Sequence, residues 1–345
     1  MRRGLTLAAA TGAALAFAAI ALGANTASVA VSHSAMTTSS TGATTIHVSI
    51  PQSTDPIARI AIYAPVGYTA NLSAPAGSPI GDVSASGFAR DVGLTLPLTG
   101  SVVPDNAIQH FSDACSPGPH AAVWILNLSV AGQTIALPVY VDPTTGAETA
   151  LGSYKLVTCL GPPDVPAGTP GRSPQGVQLL DAKFTVDNVF KTPSSAGLER
   201  WETLFTPYNP GQGTVNAAGT FEARSLVGIP DAVSVQAVSV KHKTYRVSGV
   251  VTEGGTPAAG VSVQLYRGGS AGALARATSA RTDANGAFSF TGAFGKAKLL
   301  FFQAKASAGE RAAACTSPLP AAPAGCVGAT LSPWAASSTV AKAKR

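Results

Sequence analysis

The sequence contains few charged and few aromatic residues, 12% and 6% of its 345 positions. Long amphipathic runs of Leu, Glu and Lys are absent, which excludes a helical bundle. Its 36 glycines and 25 prolines lie between short apolar segments, a distribution typical of antiparallel β-sandwiches with many turns. A chain of this length and composition is expected to fold as two or three all-β domains in tandem.

A basic stripe is also missing, although the formal net charge is +6. Arg2 and Arg3 lie in an N-terminal leader, and their removal leaves +4. Three more cations, Lys342, Lys344 and Arg345, lie in the last residues, and the body without them is close to +1. No cluster of basic residues interleaved with aromatics remains, so nucleic acid is not an expected partner.

The N-terminal residues have the composition of a secretory signal peptide. Two arginines precede an Ala- and Leu-rich run over residues 5–22, and small residues follow up to Ala30. This order predicts a signal peptide over residues 1–30 with cleavage after Ala30, and an uncleaved membrane anchor is the alternative. The Ser- and Thr-rich lead-in over residues 31–41 is expected to be disordered.

A second long apolar run is absent, and no cysteine near the leader offers a lipid attachment point. The short Ala-rich leader is typical of bacterial export. We therefore expect a protein that is secreted or associated with the cell envelope, without a stable membrane span after cleavage.

Four cysteines in an exported chain predict two disulfides. Three connectivities are possible. We expect Cys115 to pair with Cys159 and Cys315 with Cys326, because each pair falls within one predicted domain. No two cysteines have the C-x-x-C spacing of a structural zinc site.

Alternation of apolar and polar residues predicts strands through most of the first 240 residues. We expect a β-sandwich domain over residues 42–161 and a Pro- and Gly-rich linker over residues 162–176. The strands over residues 177–243 form either a second β-domain or the second half of the first. Trp124 and Trp201 are expected in the cores of these units. No family is indicated for residues 42–243.

The clearest β pattern begins at Tyr245 with YRVSGVV and VSVQLY, which alternate with period two. Asn285-Gly286 predicts a tight turn between strands. The order V-S-G-x-V, G-x-P-x-x-G-V-x-V-x-L and T-D-x-x-G-x-F-x-F resembles the carboxypeptidase-regulatory-like domain, a transthyretin-like β-sandwich, over about residues 244–332. The match is carried by Val247, Ser248, Gly249, Val251, Gly255, Pro257, Gly260, Val261, Val263, Leu265, Thr282, Asp283, Gly286, Phe288 and Phe290.

The resemblance implies an accessory module and no activity of its own. Such modules accompany catalytic domains or build surface proteins as repeats. The zinc-binding H-x-x-E pair of metallocarboxypeptidases occurs at none of the five histidines. The resemblance therefore covers the accessory domain only, and residues 333–345 are expected to form a flexible tail.

Several motifs resemble catalytic or metal sites. His110, Asp113, Cys115 and His120 include zinc-ligand types, but the expected disulfide at Cys115 favours a surface loop. Residues 268–272 read G-x-S-x-G, which serves as a nucleophile elbow only between a strand and a helix.

The turn around Asp283 also contains part of a calcium-loop pattern, but it lacks the late glutamate that such a loop needs. We therefore expect no catalytic residue, metal or cofactor.

These observations predict an exported, non-enzymatic protein with a structural or adhesive role at the bacterial cell surface. Its partner would be an envelope component, such as a polysaccharide, or another surface protein. The first alternative is a carbohydrate-binding accessory protein, for which Trp334 and Tyr266 are the remaining candidate stacking residues. The second alternative is a secreted hydrolase of unrecognised type.

Overall fold

The protein is all-β, as the sequence predicts. The computed structural model describes residues 25–130, 133–241, 243–315 and 317–345, so most of the predicted signal peptide lies outside the described residues. Helical structure within them is limited to four 3-10 turns, at Ala107–His110, Gly146–Ala150, Pro174–Gly176 and Ala217–Gly219. Among these residues no helix has the length and apolarity needed to cross a membrane.

Twenty-five strands follow one another along the described chain. The first thirteen are β1 (Ser28–His33), β2 (Thr44–Ser49), β3 (Ile57–Ala64), β4 (Thr69–Ala70), β5 (Gly81–Ala89), β6 (Leu94–Asp105), β7 (Ala122–Val130), β8 (Gln133–Pro143), β9 (Tyr154–Cys159), β10 (Val177–Val186), β11 (Phe190–Lys191), β12 (Gly197–Pro207) and β13 (Phe221–Ile229). The others are β14 (Ala232–Val233), β15 (Gln236–Val240), β16 (Thr244–Glu253), β17 (Thr256–Pro257), β18 (Ser262–Ser270), β19 (Ala273–Arg281), β20 (Ala287–Ala293), β21 (Leu299–Ala308), β22 (Arg311–Ala313), β23 (Cys326–Leu331), β24 (Trp334–Ser337) and β25 (Ala341–Lys344).

Thirteen strands form one large sheet, in the order β1-β2-β10-β5-β6-β7-β8-β9-β3-β12-β13-β23-β22. Its pairs are antiparallel except for β13 with β23. The sheet curls until β1 reaches β13, where the Val31 backbone N–H donates to Ser225 Oγ at 2.8 Å. Ser225 Oγ also lies 2.9 Å from Ser332 Oγ, which secures the end of β23 at the same junction.

The inner face of the large sheet is apolar because its strands alternate. On β2, Thr44, Ile46 and Val48 are buried, whereas the residues between them are half-buried. Aromatic rings fill part of the interior: Phe190 lies edge-on to Trp124 and to Trp201, with ring centroids 6.3 and 5.6 Å apart.

The small unit is a β-sandwich of two sheets. One sheet contains β15, β16 and β20, with β14 and β17 paired to the other end of β16. The second contains β19, β18 and β21, and both β24 and β25 pair with β21. The core between them is built from alternating apolar side chains on facing strands. Its large members include Tyr245, Val247, Val251, Val261, Val263, Leu265, Phe288, Phe290, Phe294, Leu300, Phe302 and Trp334.

The two units exchange chain segments. The chain leaves the sandwich after β21, adds β22 and β23 to the large sheet beside β13, and then returns as β24 and β25. The expected third module over residues 244–332 is therefore wrong at its end: β23 belongs to the large sheet. The predicted flexible tail is also wrong, because Trp334 and Ala343 are buried in the sandwich core.

Three other expected boundaries differ from the structure. Residues 31–41, expected to be disordered, contain half of β1. Cleavage after Ala30 would cut that strand and remove Val29, which is 1% exposed, so a leader ending before β1 is needed to leave the strand whole. Residues 162–176 join β9 to β10 within one sheet and so form a loop rather than an interdomain linker. Residues 177–243 do not form a separate domain: β10, β12 and β13 lie in the same sheet as the strands before them, whereas β14 and β15 pair with β16 in the small unit.

Both expected disulfides are present. Cys115–Cys159 ties the β6–β7 loop to the end of β9, and Cys315–Cys326 closes the loop between β22 and β23. The Cα atoms of each pair are 6.0 Å apart. Both loops cover the outer face of the large sheet, where Tyr63, Val123 and Tyr140 are buried.

The return of the C-terminal segment leads to a stability prediction. Trp334 is 5% exposed, and its indole N–H donates to Glu253 Oε1 at 2.8 Å. Trp334→Ala is expected to lower the free energy of unfolding by about 3–5 kcal/mol, because it empties a core position and removes this donor. Chemical denaturation measures the change.

Lys342→Ala provides the control, since Lys342 is exposed on the neighbouring β25. It should change stability by less than about 0.5 kcal/mol. Equal stability of the Trp334→Ala variant and the unmodified protein would contradict the docking of this segment.

Candidate functional site

An apolar cavity of about 450 Å³ opens at one end of the large sheet. Its walls come from β5, β6, β7, β8 and β10, and the β9–β10 loop lies at its mouth. The lining residues are Ala85, Gly87, Leu98, Leu128, Thr134, Ile135, Ala136, Leu137, Leu160, Gly161, Gly171, Arg172, Ser173, Pro174, Val177 and Leu179. Arg172 is the only charged residue among them.

Small residues on β5 account for the space. Ala85 and Gly87 occupy inward positions where other strands carry larger side chains, and none of the lining residues is aromatic. A Cβ on Gly87 would lie 2.4 Å from Val177 Cγ1, so a larger residue there would displace the Val177 side chain. Ala85, Leu128 and Leu137 also line a second void of about 50 Å³ further inside the sheet.

The cavity has the size and chemistry of a ligand site. Pockets for small molecules measure about 300–1,000 Å³ and are mostly apolar with a few polar groups. An apolar cavity of about 150 Å³ in another protein stays dry and binds benzene, so about 450 Å³ corresponds to roughly eighteen carbon-sized atoms. An unbranched acyl or alkyl chain fits this volume.

Arg172 lies at the mouth in a fixed position. Its Nη1 and Nη2 donate to the two carboxylate oxygens of Asp91 at 2.9 and 2.6 Å, and its Nε donates to the Val165 carbonyl at 2.8 Å. The hydrogen bonds from Arg172 hold the pKa of Asp91 below its ordinary value. This pair joins the β9–β10 loop to the turn after β5.

The structure brings His110 and Asp113 together, as the zinc-like pattern requires, but the possible ligand atoms of the four residues do not form a metal-binding group among the described residues. His110 Nδ1 lies 2.8 Å from Asp113 Oδ2, and Nε2 lies 3.0 Å from Asp105 Oδ2. Burial opposes protonation of His110, but these hydrogen bonds raise its pKa overall. Tyr140 donates to the same Asp113 oxygen at 2.7 Å. Both ring nitrogens of His110 therefore have protein partners.

His120 and Cys115 have other partners. His120 Nδ1 lies 2.9 Å from Asp142 Oδ2, and Nε2 lies 2.8 Å from the Ser116 carbonyl. Cys115 is bonded to Cys159. The four residues of the zinc-like pattern therefore fix the β6–β7 loop onto the sheet through hydrogen bonds and a disulfide.

A buried charged cluster that the sequence did not reveal lies on the outer face of β12 and β13. Glu202 and Glu222 are both 0% exposed, and Arg224 Nε contacts both carboxylates. Burial and a hydrogen bond to Glu222 raise the pKa of Glu202. Burial opposes ionisation of Glu222, but hydrogen bonds from Glu202 and Arg224 hold its pKa below the ordinary value. These opposite directions favour the neutral form of Glu202 and the anionic form of Glu222.

This cluster anchors the loop closed by Cys315–Cys326. Arg224 Nη2 donates to the Ser317 carbonyl at 2.9 Å, and the Leu319 backbone N–H donates to Glu222 Oε2 at 2.9 Å. Glu222 also lies close to both sulfur atoms, but a disulfide offers no thiolate to a metal. The contacts of the cluster are structural, and the loop seals it from solvent.

The remaining motifs lie in turns. Residues 268–272 connect β18 to β19 in a hairpin, and no helix follows Ser270 as a nucleophile elbow requires. Asp283 Oδ1 accepts from the backbone N–H groups of Asn285 and Ala287, each at 2.9 Å. Gly286 supplies the positive φ of +69° that this turn needs.

A third buried carboxylate, Asp231, lies where the two units meet. Its backbone N–H donates to the Met36 carbonyl at 3.2 Å, and its Oδ1 accepts from the Gly254 N–H at 3.1 Å. Oδ2 is buried without a hydrogen-bond partner among the described residues. Burial, with the neighbouring Glu253 carboxylate, raises the pKa of Asp231 to about 7. Glu253 also pairs with Arg311 of β22 across the same junction.

No family model matches the chain, and no curated protein matches it. The candidate site therefore depends on geometry alone. By that standard the cavity is the strongest candidate, because it combines an apolar interior with one cation at its mouth.

The elevated pKa of Asp231 leads to a prediction of pH dependence. A raised pKa means that the folded state favours the neutral carboxyl. The contribution of Asp231 to the free energy of unfolding is therefore complete below about pH 4 and is lost as the pH rises through about 7. Asp231→Asn should match the unmodified protein near pH 4. It should be more stable at pH 8, by up to about 4 kcal/mol. Denaturation midpoints at each pH measure this.

Asp82→Asn is the matched control, because Asp82 is exposed on β5. Its stability should follow that of the unmodified protein at every pH. Parallel pH profiles for the Asp231→Asn variant and the unmodified protein would show that Asp231 is ionised without cost.

Proposed function

We propose that the protein is exported and acts at the cell envelope as a non-catalytic binding protein that takes one apolar chain into the cavity of its large sheet. The observation that carries the proposal is the cavity itself, about 450 Å³ with a lining of aliphatic and small side chains. An apolar ligand would replace water there at roughly 25 cal/mol per Å² of apolar surface covered. The two disulfides support an oxidising location outside the cytoplasm.

The carbohydrate-binding alternative receives less support. Sugar stacking needs exposed flat aromatics, whereas Trp124, Trp201 and Trp334 are 2%, 0% and 5% exposed. Tyr266 is half-buried, and the Lys305 ammonium lies 4.6 Å from its ring centroid. The candidate stacking residues are therefore either buried or already covered by a cation.

The small sandwich supports the binding unit in this proposal. Its resemblance to carboxypeptidase-regulatory-like domains stays a prediction, and it implies an accessory role that agrees with a supporting unit. The exchanged strands and the Glu253–Arg311 pair join the sandwich to the large sheet. A structural or adhesive role for the outer surface of the protein is compatible with ligand binding in the cavity.

Filling the cavity tests the proposal. Ala85 lines both voids, and Ala85→Phe should place a ring in the space that the ligand needs. N-phenyl-1-naphthylamine, a neutral apolar dye, is expected to fluoresce on binding to the unmodified protein and to be displaced by 1-dodecanol. The variant should bind the dye at least tenfold more weakly, because the introduced phenylalanine ring already covers the apolar surface that the dye would contact.

Ser84→Phe is the matched control, since Ser84 is the exposed neighbour of Ala85 on β5. It adds the same side chain to the outer face and should leave dye binding unchanged. Both variants should still be folded, which a cooperative denaturation transition would show. Failure of the unmodified protein to bind either the dye or the alcohol would overturn the proposed function.

A further inference from the structure

The structure assigns a class of ligand to the cavity: we infer a single-chain amphiphile whose anionic head, a carboxylate or a phosphate, binds Arg172 at the mouth. This inference rests on the proposed function, because it concerns the head of a ligand whose chain occupies the same cavity. It adds a charge requirement that the apolar lining alone does not impose.

The position of Arg172 carries the inference. It is the only charged residue among those lining the cavity, and the other polar members are Thr134 and Ser173. A ligand with its chain inside the sheet can therefore place an anionic head beside this guanidinium. A neutral or cationic head would gain little there, whereas an anion would form charge-assisted hydrogen bonds.

The Arg172 guanidinium retains donors for a ligand. Its side chain is 11% exposed. Three of the five N–H groups of an arginine are used, two for Asp91 and one for Val165. Two N–H groups therefore remain for a ligand.

Asp91 acts as the internal competitor of such a head. Its carboxylate binds Arg172 in the two-point geometry that a ligand carboxylate or phosphate would adopt. It lies in the turn after β5, and its side chain is 36% exposed, so it can turn towards solvent when another anion binds. The pair keeps the cation compensated while the cavity is empty and fixes its position for the ligand.

The test compares ligands that have the same chain length and differ in their head groups. Dissociation constants are measured for dodecanoate, dodecyl phosphate, 1-dodecanol and dodecyltrimethylammonium, all below their micelle concentrations, by displacement of N-phenyl-1-naphthylamine. The unmodified protein is expected to bind an anionic chain tenfold or more tightly than the alcohol, and the cationic chain least tightly. Tighter binding of dodecanoate would indicate a fatty acid as the source of the head, and tighter binding of dodecyl phosphate would indicate a phosphorylated lipid.

Two variants examine the cation and its competitor separately. Arg172→Gln should reduce the ratio between the alcohol and anion dissociation constants to about one. Asp91→Asn removes the competing charge and should raise that ratio tenfold or more above the value of the unmodified protein. Because Asp91→Asn predicts a gain, a loss of folding in Arg172→Gln would not remove the test.

The outcomes separate the inference from the proposed function. Equal affinity for the alcohol and both anions in the unmodified protein and in Asp91→Asn would overturn the inference and leave the binding function in place. Tightest binding of the cationic chain would also overturn it. Failure of all four chains to bind would overturn the proposed function as well.

Discussion

The curling of the large sheet is the constraint on which the rest of the structure depends. When β1 returns to β13, the inward side chains of the sheet must fill the space between its walls. Trp124, Trp201 and Phe190 fill part of it with aromatic rings in edge contact. Around Ala85 and Gly87 of β5 the inward positions carry small residues, and the unfilled space becomes the cavity. The interior is therefore densely packed around the aromatic rings and is left unfilled at the end of the sheet where the cavity opens.

Local sequence patterns predicted the class of fold because alternation is a property of each strand alone. The inward side chains of β16 and β18, such as Val247 and Val263, could be identified in that way, and both disulfides followed from the cysteine count and the expected domains. Pairing between distant strands has no such local signal. The parallel contact of β23 with β13 and the docking of Trp334 depend on which edges remain open after the other strands have folded.

The candidate site could not be predicted from the sequence for the same reason. A small residue within a strand, such as Ala85, is ordinary until the register places it opposite Ala182 on the wall of a cavity. Arg172 lies in a Pro- and Gly-rich segment whose composition indicated only a loop. The buried carboxylates were hidden as well, since Glu202 and Glu222 occupy the polar positions of alternating strands. They are buried only because a disulfide-closed loop from beyond the sandwich covers that face.

The exchange of strands between the two units has a consequence for the order of folding during synthesis. The large sheet lacks its last two strands until residue 331 has left the ribosome, and the sandwich lacks β24 and β25 until residue 344 has done so. Neither unit can finish before the other has been almost completely translated. The nascent chain therefore stays incompletely folded for nearly the whole of elongation.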